Sequence, residues 1–279
     1  MAGSRRHHFI AQFYLRNFAE PLYSDNIQVY DRTTCRWERR TPRGVAWFPH
    51  LYAMFDERGE RTDDFEAFLG EHVENAAAPA LRHAAEFPDS LSQNHREAIA
   101  LFIGVTAVRT PTMMDVTQEA YISSLPTRDL KDLDALVSLW CSITGQSFPD
   151  GDDARRKFLM PSLFGAILLW AYSMRDRLLN WKWTFIRSSS DRPFITSDWP
   201  VFAQHDEPAE TRFVSFPISS EVALLVNSAG TVRQDRNPLE DVRAINRQTM
   251  DRASQFIVCR QQSFPGEECL AYESRPTPT

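Results

Sequence analysis

The sequence predicts an α+β fold: a helical central region packed on a mainly antiparallel sheet built from an N-terminal hairpin and C-terminal strands. Three observations carry this. Short runs rich in β-branched and aromatic residues occur near Ile27–Tyr30 and again from Trp181 onward. Between them, from Thr62 to Leu179, apolar residues recur at helical spacing. The Gly-, Pro- and Asp-bearing stretch from Gly145 to Asp153 reads as a loop rather than a linker, and no internal repeat is evident. Residues 1–272 are therefore expected to form one domain, with 273–279 a disordered tail.

The elements follow in order. Phe13, Tyr14, Leu15 and Phe18 give a helix over Ala11–Ala19 a wide apolar face, with Gln12 and Arg16 on its other side. His7 and His8 precede it in an extended entry segment. Ile27 to Tyr30 alternates and Asp31 to Thr34 offers turn chemistry, so a hairpin is expected there. Thr62-Asp63-Asp64 suits a helix start, and Pro79 should kink or interrupt the helix that follows. Ser92 opens another helix ending at Arg109, and Thr110-Pro111 reads as an N-cap followed by proline at the first helical position. Leu130–Trp140 and Arg155–Leu179 continue the helical set. WKWTFIR, RPFITSD, RFVSFPI and EVALLVN then read as strands, with a last helix over Leu239–Met250 and a strand over Gln255–Arg260.

Composition bounds the function. A net charge of −6 gives no pull toward nucleic acid or anionic membrane, so any such contact would need a local basic patch such as Arg36 to Arg43. The apolar runs beginning at Ala98 and Leu163 are shorter than the roughly 18 residues of a membrane span, and both read as core helices. No apolar stretch follows the Arg5/Arg6 pair as a signal peptide requires. Cys35, Cys141, Cys259 and Cys269 form no C-x-x-C pair and read as reduced thiols without a functional role. A cytoplasmic protein is expected. No phosphate-cradling glycine motif occurs, which disfavours nucleotide cofactors; a divalent metal stays open.

Several motifs recur along the chain in a recognisable series. They are H-H-F-I-A-Q-F-Y-L-R-N-F from His7, V-Y-D at Val29, R-T-P at Arg109, F-I-T-S-D-W-P-V from Phe194 and F-P-I-S from Phe216. Together they resemble the bacterial "domain of unknown function 4238" family over nearly the whole chain. A proline commonly stands in that family where this chain has Ala11. The family carries no assigned activity, so the resemblance implies fold boundaries and motifs but no mechanism.

The polar positions within these motifs are the candidate site residues. Imidazole serves as general base, acid or metal ligand near neutral pH, yet His7 and His8 can equally be satisfied packing residues. As neighbours in an extended segment they point to opposite sides, so one is expected to face inward and the other outward. Asp198 ends a strand, where it either bonds backbone N–H groups in a turn or presents a carboxylate to a site; Thr196 and Ser197 would add hydroxyls. Arg109 either caps helix carbonyls or clamps an anion bidentately. The E-H-V-E-N stretch from Glu71 lacks metalloprotease spacing and reads as helix surface or an internal salt bridge. Asn246 suits a cap or a bridge toward the sheet.

Three readings compete. In the first, His7 or His8 with Asp198 and Arg109 forms the catalytic pocket of a hydrolase for a phosphoester or other anionic substrate, with Gln12, Arg16, Thr196 and Ser197 contributing to binding. In the second, the same cluster grips a small acidic ligand or partner without turnover. In the third, every motif serves packing, capping and turns. Acid–base groups must reach one substrate, so convergence in space separates the readings.

Overall fold

Two strands explain why the sheets are covered on both faces. In Val222–Asn227, Val222, Leu224 and Val226 enter the main apolar core, while Ala223 and Leu225 join a second cluster on the other face. In Phe256–Cys259, Phe256 and Val258 belong to the main core, and Ile257 and Cys259 to a third cluster. All of these residues except Asn227 are buried, which a strand shows only when protein lies on each side of it.

The computed structural model describes residues 6–20, 26–55, 60–124, 151–188, 192–206, 210–228 and 238–262, with 135, 138 and 142 as isolated helical positions. The strands are β1 (Arg6–His8), β2 (Ile27–Asp31), β3 (Arg36–Arg40), β4 (Trp47–Pro49), β5 (Met54–Phe55) and β6 (Arg61–Thr62). After the helical region come β7 (Lys182–Arg187), β8 (Thr196–Ser197), β9 (Phe202–Asp206), β10 (Glu210–Pro217), β11 (Val222–Asn227) and β12 (Phe256–Cys259). They form two four-stranded sheets, β3-β2-β12-β8 and β7-β11-β10-β9, and two ribbons, β1-β4 and β5-β6; every pairing is antiparallel.

The α+β architecture agrees with the sequence, but the strands divide between two sheets instead of sharing one. The N-terminal hairpin β2-β3 pairs with the last strand, Val29 opposite Val258. By contrast β9, β10 and β11 are consecutive in the chain, and pairing neighbours through short connections costs little loop entropy. They close as a separate sheet with β7 at its edge.

The helices are α1 (Gln12–Arg16), α2 (Asp64–Phe68), α3 (Asn75–Glu86), α4 (Gln93–Val108), α5 (Pro111–Ser124), α6 (Gly151–Asn180) and α7 (Pro238–Arg252). One core cluster draws together residues from Phe9 to Val258, including the inner faces of α1, α3, α4 and α6. Helix α7 covers the opposite face. Its Val242 and Ile245 pack with Ala223 and Leu225, and its Met250 packs with Tyr30, Ile195 and Ile257. Asn246 bridges α7 to the sheet layer, accepting from Ile195 N–H at 3.1 Å and donating to the Pro193 carbonyl at 3.0 Å. No single helix among the described residues is long and apolar enough to cross a membrane.

Pro79 lies within α3 without ending it. Between α2 and α3 the backbone widens into a π-helical stretch, Leu69–Glu74, directly before the turn that Pro79 disturbs. A proline ring cannot bond to, and clashes with, the carbonyl four residues earlier; here the path continues as helix from Asp64 to Glu86 with altered pitch. Ser92 caps α4 through its hydroxyl, which accepts from His95 N–H at 3.2 Å. Thr110 likewise accepts from Met113 N–H at 3.4 Å as α5 begins at Pro111. Most of the helix expected over Leu130–Trp140 lies outside the described residues, as does the tail 273–279. The loop expected to run through Asp153 gives way to helix at Gly151.

Helices α4 and α6 meet at Gly104. A Cβ there would lie 2.6 Å from the Ala171 carbonyl oxygen and 3.1 Å from its Cα. That contact involves backbone, so nothing can swing aside. Gly104→Ala is expected to destabilise the fold by about 1–3 kcal/mol despite the higher helix propensity of alanine. Urea unfolding checks this; an unchanged or raised midpoint would show that the two helices can separate at little cost.

Candidate functional site

The entry strand β1 lies alongside β4, with His7 opposite Phe48 and His8 opposite Trp47. Both histidines are buried, at 0% and 8% exposure, so the expectation that one would face outward is corrected. The alternation of a strand still holds, but β1 has protein on each face. His7 packs on Tyr52, ring centroids 5.7 Å apart and 19° from parallel, while His8 lies beneath the carbonyl of Arg43.

Both nitrogens of His7 are committed. Nδ1 accepts from the Tyr52 backbone N–H at 2.8 Å, which places the proton on Nε2, and Nε2–H donates to Asp63 Oδ1 at 3.0 Å. The carboxylate partner of this imidazole is therefore Asp63, not Asp198. Asp63 stands where a helix cap would, yet its side chain makes no capping bond, because His7 holds it. His8 differs. Its Nε2–H donates to the Arg43 carbonyl at 3.4 Å, and Nδ1 has no bonding partner among the described residues. Burial holds its pKa below the ordinary imidazole value of 6.5, despite the raising effect of the Arg43 carbonyl and Glu74.

Arg109 lies at the C-terminal end of α4 and is completely buried. Its Nη1 donates to Glu74 Oε1 at 2.7 Å, the internal salt bridge that the E-H-V-E-N stretch allowed. Its carbonyl accepts from the Tyr52 hydroxyl at 3.0 Å. Its Nε and Nη2 are buried and have no acceptor among the described residues. Burial works against the guanidinium charge, but Glu74, Tyr52 and Glu66 outweigh it, and the pKa lies above the ordinary value. The charge persists at any physiological pH.

Glu66, half-buried on α2, accepts from the His8 backbone N–H at 3.4 Å. Burial pushes its carboxyl up to about 7; Arg109 opposes this shift, and the nearby Glu74 and Asp63 add to it. The result is a carboxylic acid that keeps its proton below about pH 7, beside a buried cation with two donors, and an imidazole with one nitrogen, that lack partners among the described residues. Among the described residues, no group of three or more His, Cys, Asp or Glu side chains converges closely enough to hold a metal ion.

The other sequence-predicted site residues lie elsewhere in the bonding pattern. Asp198 is buried and accepts from the backbone N–H groups of Ser254, Gln255 and Phe256 and from the Ser254 hydroxyl. Desolvation raises its pKa in spite of those bonds. Tyr14 gives its hydroxyl proton to the Pro217 carbonyl at 2.8 Å, so the buried Thr196 hydroxyl is the donor in its 2.8 Å bond to Tyr14. Ser197 Oγ accepts from Trp199 N–H at 3.0 Å. Gln12 is half-buried and Arg16 exposed on α1, and neither joins the histidine–arginine network.

Of the residues singled out from the sequence, the structure places His7, His8 and Arg109 in one neighbourhood, and beside them Asp63, Glu66 and Tyr52, which the sequence did not single out. Asp63 was legible only as a helix-start residue. Glu66 had a retrievable signal: Asp63, Glu66 and Glu74 fall three and eight residues apart on one helical segment. The approach of Glu66 and Glu74 to Arg109, however, depends on the π turn between them.

Fold and site together define an α+β protein with a buried polar network between β1, the 64–86 helix and the end of α4. The chain belongs to the family described as "Protein of unknown function (DUF4238)", whose model matches residues 6–263. No curated protein and no solved structure matches it.

Two outcomes follow from this geometry. Glu74→Gln leaves a buried guanidinium without its counter-ion and is expected to destabilise the protein by roughly 2–4 kcal/mol, discounted for the partial exposure of Glu74. Chemical denaturation reads this directly, and a change below about 0.5 kcal/mol would show that solvent reaches Arg109. Glu66 has a folded-state pKa raised from 4.5 to about 7. Its contribution to stability is complete below pH 4.5 and is lost as pH rises through 7. Glu66→Gln is expected to remove that decline from the pH–stability curve; an identical curve would place Glu66 in water.

Proposed function

We propose that the protein is a hydrolase that acts on a phosphoester or another small anionic substrate by acid–base catalysis around Arg109. The observation that carries this reading is the fully buried guanidinium whose Nε and Nη2 have no acceptor among the described residues. Buried donors nearly always have an acceptor, and a planar charged fork matches the paired oxygens of a phosphate or carboxylate. Glu66 and His8 add support, since groups whose surroundings separate their protonation states suit acid and base roles. Glu66 holds its proton up to about pH 7, while burial favours the neutral form of His8.

In this scheme Arg109 holds the substrate oxygens and His8 Nδ1 takes a proton from the attacking water. Glu66 gives its proton to the leaving oxygen as the ester bond breaks, and solvent carries the His8 proton back to Glu66. The acid–base form is preferred to a metal-assisted one because the described donors do not gather as a ligand set. His7, with both nitrogens engaged, positions Asp63 and Tyr52 and does not touch substrate. The partner is a small anion; the net charge of −6 argues against nucleic acid. We place the protein in the cytoplasm, consistent with Cys35 and Cys259 forming no disulfide.

A second reading, capture of an anion without turnover, is favoured by the carboxylates around Arg109: a protonated Glu66 would then serve only to relieve repulsion of the bound anion. Turnover separates the two. With p-nitrophenyl phosphate, bis(p-nitrophenyl) phosphate and p-nitrophenyl acetate, hydrolysis is expected to follow a bell-shaped pH profile. Its acid limb falls below 6.5, where His8 protonates, and its alkaline limb near 7, where Glu66 ionises. Glu66→Gln and His8→Ala should each lower kcat by about 100-fold or more. Hydrolysis of none of these esters above background, or rates unchanged in both variants, would remove the hydrolase reading.

A further inference from the structure

A cavity of about 440 Å³ opens between the β2-β3 hairpin, the segment from Gly44 to Phe48 and the start of β12. None of Arg109, Glu66, Glu74 or Asp63 lines it, so it is separate from the site described above. Four aromatic rings form its apolar walls: Phe9, Trp47, Phe48 and Phe256. Trp47 is held in place by Arg6, whose guanidinium carbon lies 4.4 Å over its ring, and Phe9 packs between Phe48 and Phe256 at 5.9 and 6.5 Å. Flat rings held at fixed positions favour a flat guest.

The polar lining consists of Asp31, Thr33, Arg40 and Gln255. Two of these are already occupied. Arg40 is held by Glu38 at 2.6 Å and lies 3.7 Å from Asp31, while Asp31 also accepts from the N–H groups of Thr33 and Thr34 at 2.9 Å. The cavity therefore has no spare positive charge for an anion. The Gln255 amide and the Thr33 hydroxyl make no side-chain bond among the described residues. Both residues line the cavity, and each carries a donor and an acceptor, which suits the edge of a molecule carrying both.

The walls are built before any ligand arrives. Asp198 fixes the backbone of Gln255 and Phe256, and Phe9 N–H bonds the Ala46 carbonyl at 2.9 Å. Ala46, itself a wall residue, has φ 55°, a left-handed conformation that a residue with a Cβ adopts at a cost. Such strain persists where the surroundings impose it, and it collects at ligand clamps. The T-S-D-W-P-V motif thus acquires a role at a distance, since its aspartate shapes one wall.

From aromatic walls, neutralised charges and an uncommitted amide–hydroxyl pair, we propose that this cavity binds a small, neutral, planar heteroaromatic molecule of the nucleobase or nucleoside class. The aromatic rings sandwich the base, and Gln255 reads its donor–acceptor edge. A phosphate would meet no uncommitted cation in the lining.

Isothermal titration with adenosine, guanosine, cytidine and uridine, each beside its 5′-monophosphate, tests this. At least one nucleoside should bind with a Kd of about 1 mM or tighter and more tightly than its monophosphate. Gln255→Leu should weaken that binding about 10-fold with an unchanged Tm. Thr33→Val, in an exposed turn, supplies a second variant should Gln255→Leu fail to fold, and it should weaken binding in the same direction. No binding of any nucleoside, tighter binding of the monophosphates, or affinities unchanged in the folded variants would each overturn the proposal.

Discussion

A guanidinium removed entirely from water is the constraint on which the site depends. Taking such a charge out of solvent costs several kcal/mol unless partners replace the lost hydration, and among the described residues Arg109 has one direct carboxylate partner, Glu74. The bonds around it form a closed circuit. Asp63 holds His7, His7 accepts from the Tyr52 N–H, the Tyr52 hydroxyl bonds the Arg109 carbonyl, and the Arg109 side chain returns to Glu74. Asp63 precedes the helical stretch Asp64–Glu86 and Glu74 lies within it, so the circuit fixes β1, the Tyr52 segment and the end of α4 against a single element. Two donors of the guanidinium stay outside the circuit. Among the described residues the guanidinium is thus bonded along one edge only.

The remaining motifs form a second, structural assembly. Helix α1 docks on the β10–β11 turn through the Asn17 amide, which donates to the Ile218 carbonyl at 3.0 Å, and through Ser220 N–H, which donates to the Asn17 carbonyl at 3.1 Å. Tyr14 ties the same turn to Thr196 in β8. The F-Y-L-R-N-F, F-P-I-S and T-S-D stretches thus join the two sheets to the entry segment, and His7 and His8 extend from that anchored base.

Much of this was legible in the chain, and the failures have physical causes. The apolar strand at Val222–Asn227, the caps at Ser92 and Thr110, and the bridge from Asn246 all follow from local pattern and side-chain chemistry. The division into two sheets was not legible, because it depends on which edges meet after α7 returns the chain to β2. His7, His8 and Arg109 stand out as polar residues in apolar surroundings, and the structure brings them to one network. Asp198 stood out equally, yet its carboxylate is spent on the N–H groups of residues 254–256. Sequence cannot distinguish a carboxylate that serves distant backbone from one that serves an imidazole; both need burial and a strand end. Asp63 was hidden for the opposite reason, since a helix start already explains an aspartate there.

The claim that the open edge of Arg109 receives an anion is tested most directly by arginine side-chain NMR during a sulfate titration, because sulfate keeps its charge across the relevant pH range. The Arg109 Nε–H resonance, assigned by its loss in Arg109→Lys, should shift on addition of sulfate. The affinity should be higher at about pH 6, where Glu66 is protonated, than at about pH 8, where a carboxylate would repel the ligand. An Arg109 Nε–H signal that does not move with sulfate at either pH would contradict the account and leave the network a purely structural one.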